Sequence, residues 1–328
     1  MIRTRRPGIR SLVFLALPLV LIAAGCSKDK SSDTAAPPAE TTVAAATDTT
    51  AATDTTAAAD TAAANTTAAA DTAASAETTA VASGTSAGAA AAVKTATPGK
   101  LVVCSDIPYA PFEYYTNGAD GDVTGIDVDI LNGIAKEIGV TTAYVKTPFD
   151  GIFAALAAGS CDMIASSVSI TVERKQANDF SNGYFKIQQT ILVRSADAAL
   201  KDLAALKGKT VGAQSGTTGS TFATAGAAAN GYTVKDFTGA DDLVTALKAG
   251  QVDAVIQDSP INGYAATQSG GALVVSKVFE GAGEEYGFVV PKDNPGLTAA
   301  LNTGLDKLKA DGTYKTILAK YLGAAVTS

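Results

Sequence analysis

The chain is 328 residues long, with 25 Lys and Arg against 32 Asp and Glu and a net charge of −7. Its later part has no basic runs, so nucleic acid is excluded as a natural partner. It contains no His, which excludes His-based triads and His-ligated metal sites. No cofactor or metal is expected.

The first 26 residues read as an export signal. Arg3, Arg5, Arg6 and Arg10 form a positive region, and Leu12 to Ala24 is apolar but too short for a comfortable membrane span. The run ends Ala23-Ala24-Gly25-Cys26. This resembles a bacterial lipoprotein signal, in which the cysteine is lipidated and becomes the new N-terminus. Ala23 departs from the leucine more usual there, and plain cleavage nearby is the alternative. No later apolar run is long enough to cross a bilayer. The rest of the chain is therefore expected outside the cytoplasm, held to the outer face of the cell membrane by lipid alone. Residues 27–97 are low-complexity, rich in Ala, Thr and Asp and without aromatics. Such a stretch cannot bury enough apolar area to offset ordering. It reads as a disordered tether with a mean reach of about 45–50 Å by flexible-chain scaling.

From Pro98 the composition changes. Aromatic and β-branched residues and Gly punctuation continue to the end, over about 230 residues, enough for one large domain or two lobes. Strand-like and helix-like segments alternate. Leu101–Cys104, Thr142–Val145, Asp162–Ala165 and Lys186–Val193 read as strands, and Val128–Ile138 and Phe149–Ala158 as helices. Lys209–Ala213, Asp241–Lys248 and Val252–Ile256 repeat the pattern as strand, helix, strand. The alternation predicts an α/β fold with mainly parallel sheets, whose ligands bind beyond the carboxyl ends of strands. Setting Cys26 aside, Cys104 and Cys161 remain. Export makes a disulfide between them the default, but the register of their strands is open, and so is the bond.

Four stretches carry chemistry. Cys104-Ser-Asp-Ile-Pro-Tyr-Ala-Pro-Phe-Glu113 is a rigid loop after a buried strand, with Tyr109 and Phe112 placed to line a cleft. Ser166-Ser-Val-Ser-Ile-Thr-Val-Glu-Arg174 runs from a strand into a helix opened by Thr171. Its hydroxyls and free N–H groups suit a small anion, and Arg174 adds a planar donor suited to a carboxylate. Val211-Gly-Ala-Gln-Ser-Gly-Thr-Thr-Gly-Ser220 offers a second anion site through backbone N–H groups, Thr217 and Thr218. It is not a nucleotide P-loop, because Gly208-Lys209-Thr210 lies at the wrong end of the strand. Gln257-Asp258 ends a strand with a carboxylate able to accept an ammonium group. A carboxylate clamp and an ammonium acceptor together describe a zwitterion.

These motifs, in this order, resemble the family 3 extracellular solute-binding proteins, the amino-acid receptors of ABC importers. The resemblance spans about residues 98–325. It implies the type II periplasmic-binding-protein fold, a Venus-flytrap of two Rossmann-like α/β lobes joined by a two-strand hinge. Lobe one would take residues 98–192 and 287–328, and lobe two 193–286, with crossings near Ile191–Ser195 and Tyr286–Pro291. The helices Leu297–Lys309 and Tyr314–Leu322 would return to lobe one. The resemblance also implies roles. Tyr109 would cover the ligand side chain, Asp106 would lie near its far end, and Phe149 would form the opposite wall. Ser167 and Ser169 would hold the α-carboxylate or ammonium, with Ser166 near the side chain. Arg174 would pair with the α-carboxylate, helped by Thr218, and Asp258 would take the α-ammonium. Gly219 departs from the glutamine of some basic-amino-acid receptors, which leaves side-chain specificity open, with a lean to basic or polar ligands. The expected partners are a free amino acid and the transmembrane subunits of an ABC permease, met by a monomer.

Two alternatives share the fold. One is an enzyme like cyclohexadienyl dehydratase, for which Glu113 is the nearest acid, although the resemblance turns it away from the ligand. The other is a receptor that signals in trans. A calcium-loop lookalike, Asp120-Gly-Asp-Val-Thr-Gly125, has Leu131 where the bidentate Glu should be, so a hairpin is expected there instead.

Overall fold

The alternation of the sequence becomes two five-stranded sheets. The structure is a computed structural model in which residues 92–281 and 283–323 are described. The expected signal, Cys26 and the tether up to residue 91 lie outside them.

The first part of the chain gives β1 (Lys100–Ser105), β2 (Tyr114–Tyr115), β3 (Val123–Thr124), α1 (Ile126–Glu137), β4 (Thr141–Lys146), α2 (Ile152–Ala157), β5 (Met163–Ile164), α3 (Val172–Ala177), β6 (Asn178–Phe180) and β7 (Phe185–Ile187). The middle gives β8 (Gln189–Arg194), β9 (Thr210–Gln214), α4 (Thr218–Asn230), β10 (Thr233–Phe237), α5 (Ala240–Lys248), β11 (Ala254–Asp258), α6 (Ser259–Gln268), β12 (Leu273–Val278) and β13 (Glu284–Tyr286). The chain then returns through β14 (Val289–Pro291), α7 (Pro295–Ala310) and α8 (Thr313–Leu322). The first sheet, order β4-β1-β5-β14-β6, is the core of lobe 1, and the second, order β10-β9-β11-β8-β12, that of lobe 2.

Each sheet is parallel on one side and antiparallel on the other, not parallel throughout. β4, β1 and β5 run parallel, while β14 is antiparallel to β5 and β6. β10, β9 and β11 run parallel, while β8 is antiparallel to β11 and β12. The antiparallel strands are those that enter from or return to the other lobe. They reach their sheet from outside the repeating strand–helix units, so no crossover helix fixes their direction.

Lobe 1 buries apolar side chains on both faces of its sheet. One face holds Leu101, Val103 and the α1 stripe Ile126, Ile130, Leu131 and Ile134, packed on Leu301 and Leu305 of α7. The stripe has helical spacing, which is why α1 forms here. Two glycines are needed for the packing. A Cβ at Gly125, whose φ is +139°, would lie 1.9 Å from the Phe112 carbonyl oxygen, and a Cβ at Gly304 would lie 2.7 Å from Ile134. The opposite face holds Ile152, Leu156, Ile164, Phe180 and Val289 with Cys104 and Cys161. Those two cysteines are bonded as a disulfide across 57 residues. Lobe 2 divides likewise, with Ile191, Val193, Val211 and Ile256 on one face and Leu192, Leu243, Leu247 and Val255 on the other.

Several boundaries differ from the sequence reading. The helix expected over 149–158 begins as a tight 3-10 turn, Phe149–Gly151, between Pro148 and Ile152. Lys186–Val193 is two strands, broken at Gln188. β7 pairs with β13 in a separate two-stranded ribbon, while β8 joins the second sheet. The lobes are therefore linked through Phe185–Ile187 and Glu284–Tyr286, earlier than the expected crossings at 191–195 and 286–291. Burial explains the shift. Ile191, Leu192 and Val193 are fully buried, as are Val289 and Val290, and a bare ribbon has no second layer to cover both faces. The calcium-loop lookalike is a hairpin turn between β2 and β3, with the Thr116 N–H donating to the Asp122 carbonyl at 2.9 Å.

Replacing Cys104 and Cys161 together by Ser opens the 57-residue loop. The unfolding free energy should fall by about 4 kcal/mol on loop-entropy grounds. Urea unfolding of the full-length protein checks this, and an unchanged midpoint would contradict it.

Candidate functional site

The carboxyl ends of parallel strands in both sheets supply one narrow cavity of about 10 Å³, closed down between the lobes. From lobe 1 come Asp106 and Tyr109 after β1, Phe149 after β4, Ser166, Ser167 and Ser169 after β5, and Arg174 on α3. From lobe 2 come Gln214 and Thr217 after or at the end of β9, Thr218 at the start of α4, and Asp258 at the end of β11. All nine residues expected at the site line this cavity. Gln214 was not expected there. Its signal was a polar residue ending the strand that begins Val211-Gly-Ala.

The lobes touch across the cavity. The Gln214 Nε2 donates to Asp106 Oδ2 at 2.5 Å. The Arg174 Nη2 donates to the Gly216 carbonyl at 3.0 Å, and its Nη1 to the Ser169 carbonyl at 2.8 Å. Ser169 Oγ and Thr218 Oγ1 lie 3.4 Å apart. Gly216 has φ +77°, and a Cβ there would come within 3.1 Å of the Asp150 Cα. The guanidinium also lies over Phe149 and Phe153, at 5.4 and 5.3 Å from their ring centres, an arrangement that favours Arg over Lys.

Helix starts account for two hydroxyls. Thr171 caps α3 by accepting the Arg174 N–H, which sets the base of that side chain. Thr217 caps α4 by accepting the Ser220 N–H and donates to the Gln214 carbonyl, so its hydroxyl is committed. Asp258 stands at the N-cap of α6 but does not cap it. Its Oδ1 accepts from Gln189 Nε2 at 2.6 Å, and its Oδ2 from Tyr286 OH at 2.5 Å and Tyr109 OH at 3.4 Å. Gln189 begins β8 just after the linking ribbon and Tyr286 ends β13 within it, where no local pattern marks them as neighbours of Asp258.

Burial dominates the electrostatics. Desolvation pushes the Asp258 carboxyl up to about 6, opposed by its Tyr286, Gln189 and Tyr109 donors. Desolvation also pushes Asp106 up to about 6, opposed by Gln214 and the Lys146 charge. The Arg174 guanidinium is lowered by desolvation, against the pull of Glu284 and Asp258. Beneath the serine loop lie two more carboxyls, both fully buried, Glu113 and Asp127. Both are raised by desolvation, Glu113 further by the Asp127 charge, and Asp127 reaches about 7. Glu113 does not line the cavity. Its oxygens face the hydroxyls of Ser166 at 3.0 Å and Ser167 at 3.4 Å.

A family model described as bacterial extracellular solute-binding proteins, family 3, matches residues 101–324. The chain is 32% identical over 245 residues to the histidine-binding periplasmic protein of Salmonella typhimurium, with 71% of this chain and 91% of that protein covered. Its fold is similar to that of an ancestral arginine-binding protein bound to arginine, at 34% identity and a TM-score of 0.65, covering 69% of this chain and 99% of that one. It is also similar to an ancestral amino-acid-binding protein described as a precursor of cyclohexadienyl dehydratase. There the identity is 34% and the TM-score 0.62, with 68% and 95% covered.

Tyr286→Phe removes one donor from Asp258. A donor to the ionised form lowers a carboxyl pKa, so its loss should raise the Asp258 midpoint above about 6. Because that pKa is already raised over the unfolded value, the cost of burying Asp258 grows as pH rises through 6, and the variant should feel it over a higher window. A carboxyl-detected NMR titration of both proteins measures the midpoint; an unmoved or lowered value would remove Tyr286 as the donor that matters.

Proposed function

Because the chain belongs to family 3 of the bacterial extracellular solute-binding proteins, we propose that it captures an L-amino acid in this cavity and delivers it to the permease of an ABC importer. The observation that carries the reading is a single cavity lined by Arg174 from one lobe and Asp258 from the other, with Ser167, Ser169 and Thr218 beside them. Both charges are largely desolvated, so each gains most from an opposite charge brought by the ligand. In this reading Arg174 takes the α-carboxylate and Asp258 the α-ammonium, as the motifs imply. Binding would close the lobes because the ligand touches both, and contacts made only in the closed form favour it.

The far end of the cavity supports a basic or polar side chain. Asp106 is a carboxylate there, and Gln214 places a buried Oε1 with no hydrogen-bond partner among the described residues. Two acceptors suit N–H donors of the ligand. Tyr109 and Phe149 supply flat walls. The relatives named for histidine and arginine lean the same way. We take the protein to be exported, as the periplasmic relatives are, to be anchored through Cys26, to work as a monomer and to bind without turnover. Against an enzyme speaks Glu113, which does not line the cavity, is fully buried and is engaged by two serines.

Thermal unfolding of the full-length protein against the twenty L-amino acids and prephenate tests the reading. A ligand at a hundredfold its dissociation constant should stabilise by about 2.7 kcal/mol. Arg174→Ala and Asp258→Ala should each weaken that ligand more than about tenfold, since each leaves a buried ligand charge unpaired. Wild-type affinity in either variant would refute the assignment. Prephenate turnover that disappears in Glu113→Gln would replace the receptor with an enzyme.

A further inference from the structure

The serine loop that lines the cavity rests on a buried pair of carboxyl groups. Ser167 has φ +49°, a left-handed conformation that is uncommon outside glycine. Its N–H donates to Asp127 Oδ2 at 2.8 Å, and Tyr184 OH donates to Asp127 Oδ1 at 2.6 Å. Ser166 Oγ accepts the Asp106 N–H at 2.9 Å and lies 3.0 Å from Glu113 Oε1, while Ser167 Oγ lies 3.4 Å from Glu113 Oε2. Among the described residues neither carboxyl forms an ion pair. The titratable groups facing the pair are Asp106 and Tyr109 from the first loop, Tyr144 of β4, Tyr184 before β7 and Tyr314 of α8, and none is a cation.

We infer that Glu113 and Asp127 are positioning residues for ligand capture: when the pair holds a single proton, it resides on Glu113 and Asp127 is the ion, and this polarity sets which serine hydroxyl is free to face the ligand. The inference rests on the amino-acid reading given above. Two unlike charges would share the site comfortably, but two buried carboxylates would not, so the pair holds a proton.

The donors decide where it sits. A backbone N–H can only donate, so Asp127 loses least as an anion. Asp127 also lies in the first turn of α1, where the helix dipole favours negative charge. Glu113 instead faces two serine hydroxyls, which either donate or accept. Protonated Glu113 donates to Ser166 Oγ, and the Ser166 hydroxyl hydrogen is released toward the cavity that Ser166 lines. With Glu113 ionised, that hydrogen would be held back by the carboxylate. Asp127 meanwhile keeps Ser167 in its left-handed turn.

The test compares the two amide isosteres in the full-length protein. Glu113→Gln retains a donor toward Ser166, so its affinity for L-arginine by calorimetry should stay within about twofold of wild type. Asp127→Asn loses the charge and one acceptor, and should weaken L-arginine at least about fivefold. A second arm needs no ligand. The Asp127 pKa is raised over its unfolded value, so its contribution to stability is lost as pH rises toward neutrality. Thermal stability of the wild type should fall as pH rises above about 4, through Asp127 up to about pH 7 and through Glu113 beyond it, because Glu113 keeps its proton in the folded chain and loses it in the unfolded one. Glu113→Gln should keep the decline up to about pH 7 and lose the part above it. Asp127→Asn should keep the decline above about pH 7 and lose part of the decline below it, where Asp106 and Asp258 also contribute. Carboxyl chemical shifts of the wild type should likewise report Glu113 protonated and Asp127 ionised at about pH 8, with no variant required to fold. Equal effects of the two amides, or a decline above about pH 7 that Glu113→Gln keeps and Asp127→Asn loses, would overturn the inference. If the wild type ignores L-arginine but the pH arm holds, the arginine reading fails and the proton assignment stands.

Discussion

Charge removed from water is the constraint on which the rest of this molecule depends. Arg174, Asp106 and Asp258 lose hydration where the two lobes meet, and each is held by groups that the fold brings from elsewhere in the chain. Arg174 finds carbonyls of Ser169 and Gly216, Asp106 finds Gln214, and Asp258 finds Gln189 and Tyr286. A buried ion without such partners would cost several kcal/mol. Neutral amides, carbonyls and phenols moderate that cost without cancelling the charge. The seats thus retain an attraction for a ligand that carries both signs.

The same constraint shapes the backbone. Close approach of the lobes requires that nothing project where they touch. Gly216 satisfies this opposite Asp150, and its positive φ is open to glycine at little cost. The site residues hang from strand ends and helix starts, where unpaired N–H groups and side chains face one direction. The disulfide and the buried apolar layers of lobe 1 hold β1 and β5 side by side, which fixes the spacing between the Asp106 loop and the serine loop.

Much of this was legible in the chain. The α1 stripe, the β-branched runs of β1 and β9 and the Thr caps before α3 and α4 are local patterns, and local physics decides them. That the nine expected residues converge on one cavity was legible because they lie at or beyond strand ends or on the helices that follow, and strand ends converge in an α/β lobe. What escaped was decided by distant contacts. Whether Ile191–Val193 bridges the lobes or enters a sheet depends on which layers cover it, and nothing within those residues says so. Gln189 and Tyr286 reach Asp258 from 69 and 28 positions away. Glu113 lies 53 residues upstream of Ser166 and Asp127 lies 40 upstream of Ser167, and both are acidic residues of a kind mostly found in solvent.

Those distant contacts also join the site to the hinge. β13 is one strand of the linking ribbon, and it touches both charge seats. Ser169 bridges to Tyr286, the Ile170 N–H donates to the Glu285 carbonyl at 2.8 Å, and the Gly287 N–H donates to the Val168 carbonyl at 3.0 Å. The Tyr286 hydroxyl meanwhile reaches Asp258 in the opposite lobe. Gln189, two residues beyond the end of β7, the other ribbon strand, reaches the same carboxylate. A rotation about the ribbon therefore cannot leave Asp258 and the serine loop unaffected, because the residues that orient them are the residues that turn. Ligand charges that stabilise one arrangement of those bonds select one setting of the hinge, and no longer pathway between site and hinge is required.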